Sequence, residues 1–267
     1  TLIIAGPRML SEWTGQHFNS VAGISESYSG MKGHSLIPSG DAFMAGEMWK
    51  VNPHLIPNSI VTIGNPTLSK SLRNWVTELT IPHIHIGDDA FTGLDTFNTL
   101  EKSIDSEPLE WLRVFGDTFA QDENYLQAWN VEKHRLQNIQ DQFSSKAKWS
   151  DLVAYKSIFQ FFKKATSTTM HFANSTSARY ALFFDFTKNI RLHANRGVAG
   201  IDGCTSTAVG HALSTEDNVT LVTGDVAFLY DINGLATVQK LPRNCQIFMN
   251  LQHQLLIISY PCQPTLN

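Results

Sequence analysis

Gly224-Asp225 closes an apolar, β-branched stretch, Val219 to Thr223, and Asn250 stands 25 residues further on, after a second apolar run from Gln246 to Met249. In α/β proteins the carboxyl ends of parallel strands are where anionic ligands and their metals bind. A carboxylate at that edge and a side-chain amide at the end of the next strand form a pair of oxygen donors. Hard divalent cations take such donors and complete their shell with phosphate oxygens, so this spacing is that of a Mg2+–diphosphate site. Read alone, Asp225 suits a helix N-cap or turn acid equally well. Upstream, Asn195-Arg-Gly-Val-Ala-Gly-Ile-Asp-Gly203 places Gly197, Gly200 and Gly203 where backbone must turn or approach a ligand closely. Their spacing is not that of a dinucleotide fingerprint.

Other reactive side chains carry less. His83 and His85 alternate along an expected strand and share a face, but no Cys or further His follows at zinc-site spacing, which favours a structural role. Cys204 has no base near it in sequence and reads as a small packed residue. Asp202, between Ile201 and Gly203, suits a turn better than a general base. Ile158 with Phe161 and Phe162 reads as a core-facing stripe.

The elements that would position these residues are legible as alternating apolar runs and amphipathic stretches. Leu2 to Gly6, Ser59 to Gly64 and Pro82 to Gly87 read as buried parallel strands. Between the last two, Leu68, Leu72, Trp75 and Val76 fall on one helical face, giving a right-handed strand–helix–strand crossover. Residues 1–118 are therefore expected to form one α/β domain. Residues 119–150, rich in Gln, Lys and Glu, are expected to be a linker with an exposed helix. Residues 151–267 are expected to form a second α/β domain with helices over Leu152–Lys164, after Asn174-Ser175 and over Ser206–Leu213. The expected fold class is α/β, with two parallel-sheet domains of Rossmann-like character.

At 267 residues and 42% apolar content the chain can bury two modest cores. A formal charge of −4, without a Lys/Arg run, argues against a nonspecific nucleic-acid partner. Three cysteines without paired spacing fit a reducing compartment, and no apolar stretch approaches the roughly 18 residues that would span a bilayer. A soluble cytoplasmic protein is the expectation.

Taken together, Asn195 to Gly203, Ser206-Thr-Ala, Gly224-Asp225 and Leu229-Tyr-Asp-Ile-Asn-Gly-Leu235 closely resemble the cofactor domain of one thiamine-diphosphate family. That family is the 2-succinyl-5-enolpyruvyl-6-hydroxy-3-cyclohexene-1-carboxylate (SEPHCHC) synthases of menaquinone biosynthesis. Gly-Asp followed by Asn at this interval is shared by many thiamine-diphosphate enzymes, whereas the Asn-Arg-Gly-x-x-Gly-Ile-Asp-Gly string is far narrower. The resemblance extends to the first domain, which is similar to the family's middle domain. It implies a transferase that decarboxylates 2-oxoglutarate and adds the succinic-semialdehyde carbanion to isochorismate.

By the same resemblance, Asp225 is the first ligand of Mg2+ (or Mn2+), Asn250 a further metal ligand, and Gly224 part of the cofactor edge. Ile201 is the apolar wedge that bends thiamine diphosphate, with Gly200 and Gly203 lying close around its pyrimidine. Arg196, Ser175, Arg179 and Lys70 are substrate-binding, the cations as anchors for carboxylates. The family continues after the first late asparagine with a second Asn and a glycine-rich loop. Here Leu251-Gln-His-Gln-Leu-Leu255 follows, so that Leu251 takes the place of the ligating amide in one alignment and Asn250 is the ligand if the alignment slips by one. Leu255 to Tyr260 is expected to be a core strand. The family's glutamate that drives ylid formation belongs to an N-terminal domain not found in these residues, so no catalytic residue is assigned in this chain and the chain alone is expected to be inactive. The full-length enzyme is expected to be a homodimer or homotetramer. Another thiamine-diphosphate decarboxylase or synthase, and a noncatalytic binding module of the same fold, remain as alternative readings.

Overall fold

Continuous runs of aliphatic residues dictate the first sheet. Leu2-Ile-Ile-Ala5 has no polar face, and such strands are stable only when both faces are covered, as in parallel α/β sheets. The computed structural model describes residues 1–7, 18–87, 95–115, 122–162, 168–184, 190–196, 199–236, 242–251 and 254–259. The chain divides into two compact units, Thr1–Ser145 and Lys146–Asn267.

In the first unit the order is β1 (Leu2–Ala5), β2 (Ala22–Ser25), β3 (Ser35–Ile37), α1 (Gly40–Gly46), β4 (Ile60–Ile63), α2 (Lys70–Leu79), β5 (His83–Gly87), β6 (Leu100–Asp105), α3 (Pro108–Phe115) and α4 (Glu123–Lys146). The strands form one six-stranded sheet, ordered β3-β2-β1-β4-β5-β6, with every pairing parallel. Period-two alternation splits β1 between two cores. Leu2 and Ile4 join Phe43, Trp75 and Trp129 on one face, while Ile3 and Ala5 join Val61, Ile63 and Trp111 on the other. The expected helix after Leu68 forms as α2, capped by Ser69, whose side chain accepts from Leu72 N–H, and it buries Leu72, Trp75 and Val76.

Two expectations need correction here. The helix in 119–150 forms but is not an exposed linker: Trp129 is fully buried and stacks on Phe43, ring centroids 4.7 Å apart at 16°. Its buried Glu132 pairs with Arg135, which also donates to the Gly46 carbonyl at 2.9 Å. The polar face of α4 (Glu123–Lys146) hid a narrow apolar seam of Tyr125 and Trp129. In the second unit, Phe161 is 68% exposed, while Ile158 and Phe162 are buried, so the stripe is narrower than expected.

The second unit runs α5 (Asp151–Phe162), β7 (Thr168–Phe172), α6 (Thr176–Ala181), β8 (Ile190–Ala194), α7 (Cys204–Ser214), β9 (Asn218–Gly224), α8 (Asp225–Tyr230), β10 (Cys245–Leu251) and β11 (Gln254–Ser259). Its sheet is ordered β11-β10-β9-β7-β8 and is parallel except for β11, which runs antiparallel to β10. β11 is thus an edge strand with Ile257 half exposed rather than a core strand; Tyr260 lies outside the described residues. The connection after β7 leads to β8 on one side and that after β9 leads to β10 on the other, so the crevice between the ends of β7 and β9 is a topological switch point, where α/β sheets bind ligands. No helix among the described residues is long and apolar enough to cross a membrane.

One buried acid in the first unit has a measurable consequence. Glu26, fully buried just past β2, accepts from Thr67 Oγ1 and from Leu68 N–H at 2.7 Å. Burial raises its carboxyl from the ordinary 4.5 to about 7, against the lowering effect of these hydrogen bonds. A carboxyl whose folded pKa is raised adds stability that is complete below its unfolded value and is lost as pH rises through the folded one. Denaturant unfolding at pH 5 and pH 8 is expected to show stability falling by up to about 3 kcal/mol across this window, and Glu26→Gln to flatten the fall. Equal slopes for the two proteins would mean that Glu26 does not carry the effect.

Candidate functional site

Strand register builds the carboxyl edge of the second unit. β10 pairs with β9 so that Asn250 lies opposite Gly224, and Leu251 one residue beyond. Asp225 follows at once as the first residue of α8, its Oδ1 accepting from Val226 N–H at 2.8 Å. The Oδ1 of Asn250 is buried and has no hydrogen-bond partner among the described residues. A buried amide oxygen without a partner costs about 1–3 kcal/mol, so a donor or cation there would relieve it. Gly224 has φ −87°, which any residue adopts, yet a Cβ built on it meets nothing within 4 Å. Backbone conformation does not demand this glycine; open space lies above it.

The residues predicted to bind substrate and cofactor gather at the ends of β7 and β8. Asn174, 3% exposed, donates from Nδ2 to the Asn195 carbonyl at 2.6 Å and to the Gly200 carbonyl. Its Oδ1 accepts from Arg196 Nη1 at 3.0 Å. Ser175 follows with φ 72° and ψ −129°, a conformation costly for a side-chain-bearing residue, and Ala199 also has positive φ. Such strain is held only where the surroundings enforce it, and it clusters at ligand sites. Arg179, exposed, lies one helical turn after Ser175 on α6. Ile201 is half-buried against Ala173, Cys204 and Ala227. Gly203 needs its glycine: at φ 74° it opens α7, and its carbonyl accepts from Asn195 Nδ2 at 3.1 Å.

The structure therefore brings Ser175, Arg179, Arg196, Gly200, Ile201 and Gly203 to the ends of β7 and β8, and Gly224, Asp225 and Asn250 to the ends of β9 and β10. Lys70 belongs to the first unit, where it is the exposed first residue of α2. His83 and His85 are bridged by one hydroxyl, Thr62 Oγ1, at 2.7 Å and 2.8 Å. Burial and then His85 lower His83 to about 4, so His83 is neutral at physiological pH, in keeping with a structural role. Cys204 is buried, its thiol pushed up by burial, in keeping with a packed role. Among the described residues no group of three or more His, Cys, Asp or Glu is placed to hold a metal. The donor set on offer is one carboxylate and one amide, which suits a Mg2+ ion that draws its remaining oxygens from phosphate and water.

Three features were not anticipated. Asn174 is legible only as a turn residue until its partners are seen. Asp231, buried, accepts from Ser206 N–H at 2.6 Å and Ser206 Oγ at 2.7 Å, so it caps α7, whose N-cap residue Gly203 has no side chain to do so. The turn that carries it must lie close, since a Cβ on Gly234 would stand 2.7 Å from Ser206 N. His171, His193 and His211 also form a cluster, with His171 Nε2 2.8 Å from His211 Nδ1 and His193 stacked on His171 at 5.1 Å. Burial, then His193 and His211, lower His171 to about 3. Histidines 40 residues apart give no sequence signal for such a contact.

No family model matches the chain. Individual relatives do. It is 32% identical over 196 residues to a SEPHCHC synthase of Christiangramia forsetii, covering 73% of this chain and 33% of the relative. It is 29% identical over 234 residues to that of Flavobacterium johnsoniae, covering 86% and 41%, and 34% identical over 192 residues to that of a Nostoc species, covering 70% and 32%. The chain thus spans between a third and two fifths of the length of these curated relatives.

The cap supplied from outside α7 can be tested without any ligand. Asp231→Ala is expected to destabilise the second unit by about 1–2 kcal/mol, the usual cost of losing a helix cap. Chemical denaturation followed at this unit measures it, and Asp231→Asn, which keeps one acceptor, is expected to lose less.

Proposed function

On the premise that this chain belongs to the SEPHCHC synthase family, we propose that it forms that enzyme's middle domain and its thiamine-diphosphate- and Mg2+-binding domain. The reaction we assign to the whole enzyme is decarboxylation of 2-oxoglutarate and addition of the resulting four-carbon unit to isochorismate, in menaquinone biosynthesis. The observation that carries the cofactor assignment is the buried Asn250 Oδ1, which has no hydrogen-bond partner among the described residues and lies at the strand position opposite Gly224, next to Asp225 in the chain.

Thiamine diphosphate, when bound, supplies the electron sink for decarboxylation and the nucleophilic carbon for the addition. The chain's own residues bind and orient. Asp225 and Asn250 would hold Mg2+, and the open space over Gly224 admits the diphosphate. Ile201, backed by Ala173, Cys204 and Ala227, would be the apolar support against which the cofactor bends. Both proposed substrates are multiply anionic, and Arg196, Arg179 and Lys70 would anchor their carboxylates, with Ser175 adding a hydroxyl. Arg196 is half-buried and oriented by Asn174, so it would lose less side-chain entropy on binding than a free surface arginine. Arg179 and Lys70 are exposed and would act as more mobile charges. Assembly of the full-length protein as a homodimer or homotetramer, in the cytoplasm, completes the reading.

Calorimetric titration of the chain with thiamine diphosphate, with and without Mg2+, tests it. Binding is expected to require the metal, and Asp225→Ala or Asn250→Ala to weaken it by at least about tenfold, as lost metal contacts do. Unchanged binding in both variants would overturn the metal assignment.

A further inference from the structure

We infer that Asn174 is a positioning residue whose single amide ties the shape of the Asn195–Gly203 segment to the placement of Arg196. The inference rests on the proposed roles of that segment and of Arg196, and it adds a residue to which no role has been given.

The argument begins with hydrogen-bonding capacity. An asparagine amide has two N–H donors and one carbonyl acceptor. Here both donations go to main-chain carbonyls five residues apart, Asn195 and Gly200, and the acceptor takes Arg196 Nη1. The amide orientation is fixed by its neighbours, because the flipped form would set its oxygen against two carbonyls and its NH2 against a guanidinium. Asn174 is also anchored from behind: Ala173 N–H donates to Val222 O at 2.9 Å, which pins the end of β7 to β9. The amide is therefore a fixed point on the sheet, to which the Asn195 and Gly200 carbonyls are both held. Asn195 continues the chain of contacts, its Nδ2 reaching Gly203 O at 3.1 Å and Thr207 Oγ1 at 3.0 Å. Two side-chain amides, those of Asn174 and Asn195, thus link the end of the sheet to the first turn of α7.

One consequence is particular to this wiring. The same side chain sets where Arg196 points and how Gly200-Ile201 is presented, so a change at one should be felt at the other. Different residues at position 174 separate the two halves. Asn174→Asp keeps an acceptor for Arg196 but sets a carboxylate against two carbonyls. Asn174→Ala removes everything.

The test uses the whole chain and two readouts that need no ligand, with a third that does. Amide hydrogen exchange across 195–203 is expected to rise about tenfold in both variants, the size of one buried hydrogen bond, with exchange in β7 and β9 unchanged. Phenylglyoxal modification of Arg196, followed by peptide mass, is expected to accelerate in Asn174→Ala but not in Asn174→Asp. Thiamine diphosphate binding in the presence of Mg2+ is expected to weaken in both. If arginine reactivity changes alike in the two variants, or loop exchange rises in neither, Asn174 is ordinary packing and the inference falls. If the unsubstituted chain binds no thiamine diphosphate while the first two readouts split as described, the cofactor assignment falls and the positioning role stands.

Discussion

Register in the parallel ladder around β9 is the constraint on which the carboxyl edge depends. β9 is held on one side by β7, with Phe172 opposite Val222, and on the other by β10, with Asn250 opposite Gly224. Side chains alternate with a period of two, so a slip of one residue would replace the amide by Leu251 and turn the apolar set of β10 out of its core. The burial of Cys245, Ile247 and Met249 against Val219 and Leu221 is what prevents that slip. Hydrophobic packing in the middle of the strand thus sets the positions of polar groups at its end.

The polar groups at these edges obey a second rule, that a buried donor or acceptor needs a partner. Glu26 takes Thr67 and Leu68, Asp231 takes Ser206, and Asn174 takes two carbonyls and an arginine. In each case a side chain just past one element supplies what the backbone or side chains of another segment lack. Asn250 Oδ1 is one of several buried atoms with no partner among the described residues, Glu26 Oε2 and Thr205 Oγ1 being others, and what marks it is its place at a strand end, with Gly224 opposite and Asp225 next along the chain.

Legibility in the sequence followed the range of each interaction. Strands β1, β4, β5 and β9 could be read because their composition is local, and α2 because Leu72, Trp75 and Val76 recur at helical spacing. The glycine string and Gly224-Asp225 could be read as chemistry because residue type and interval together are restrictive. Asn174, Asp231 and the three-histidine cluster could not, since their meaning lies in partners 21 to 40 residues away. Helix α4 misled for a different reason. Its 24 residues are mostly polar, and Tyr125 and Trp129, one turn apart, fasten it to the core with Leu126 and Leu136 packed beside them.

That fastening bears on where this chain can be divided. Trp129 fills the space beside Phe43 and Trp75, so cutting ahead of α4 would leave a hole lined by aromatic rings and uncover the face of the first sheet that carries Leu2 and Ile4. A fragment ending near residue 118 should behave as a sticky, loosely packed species. One carried through Ser145 keeps its aromatic plug, and a limited proteolysis pattern should respect the same border.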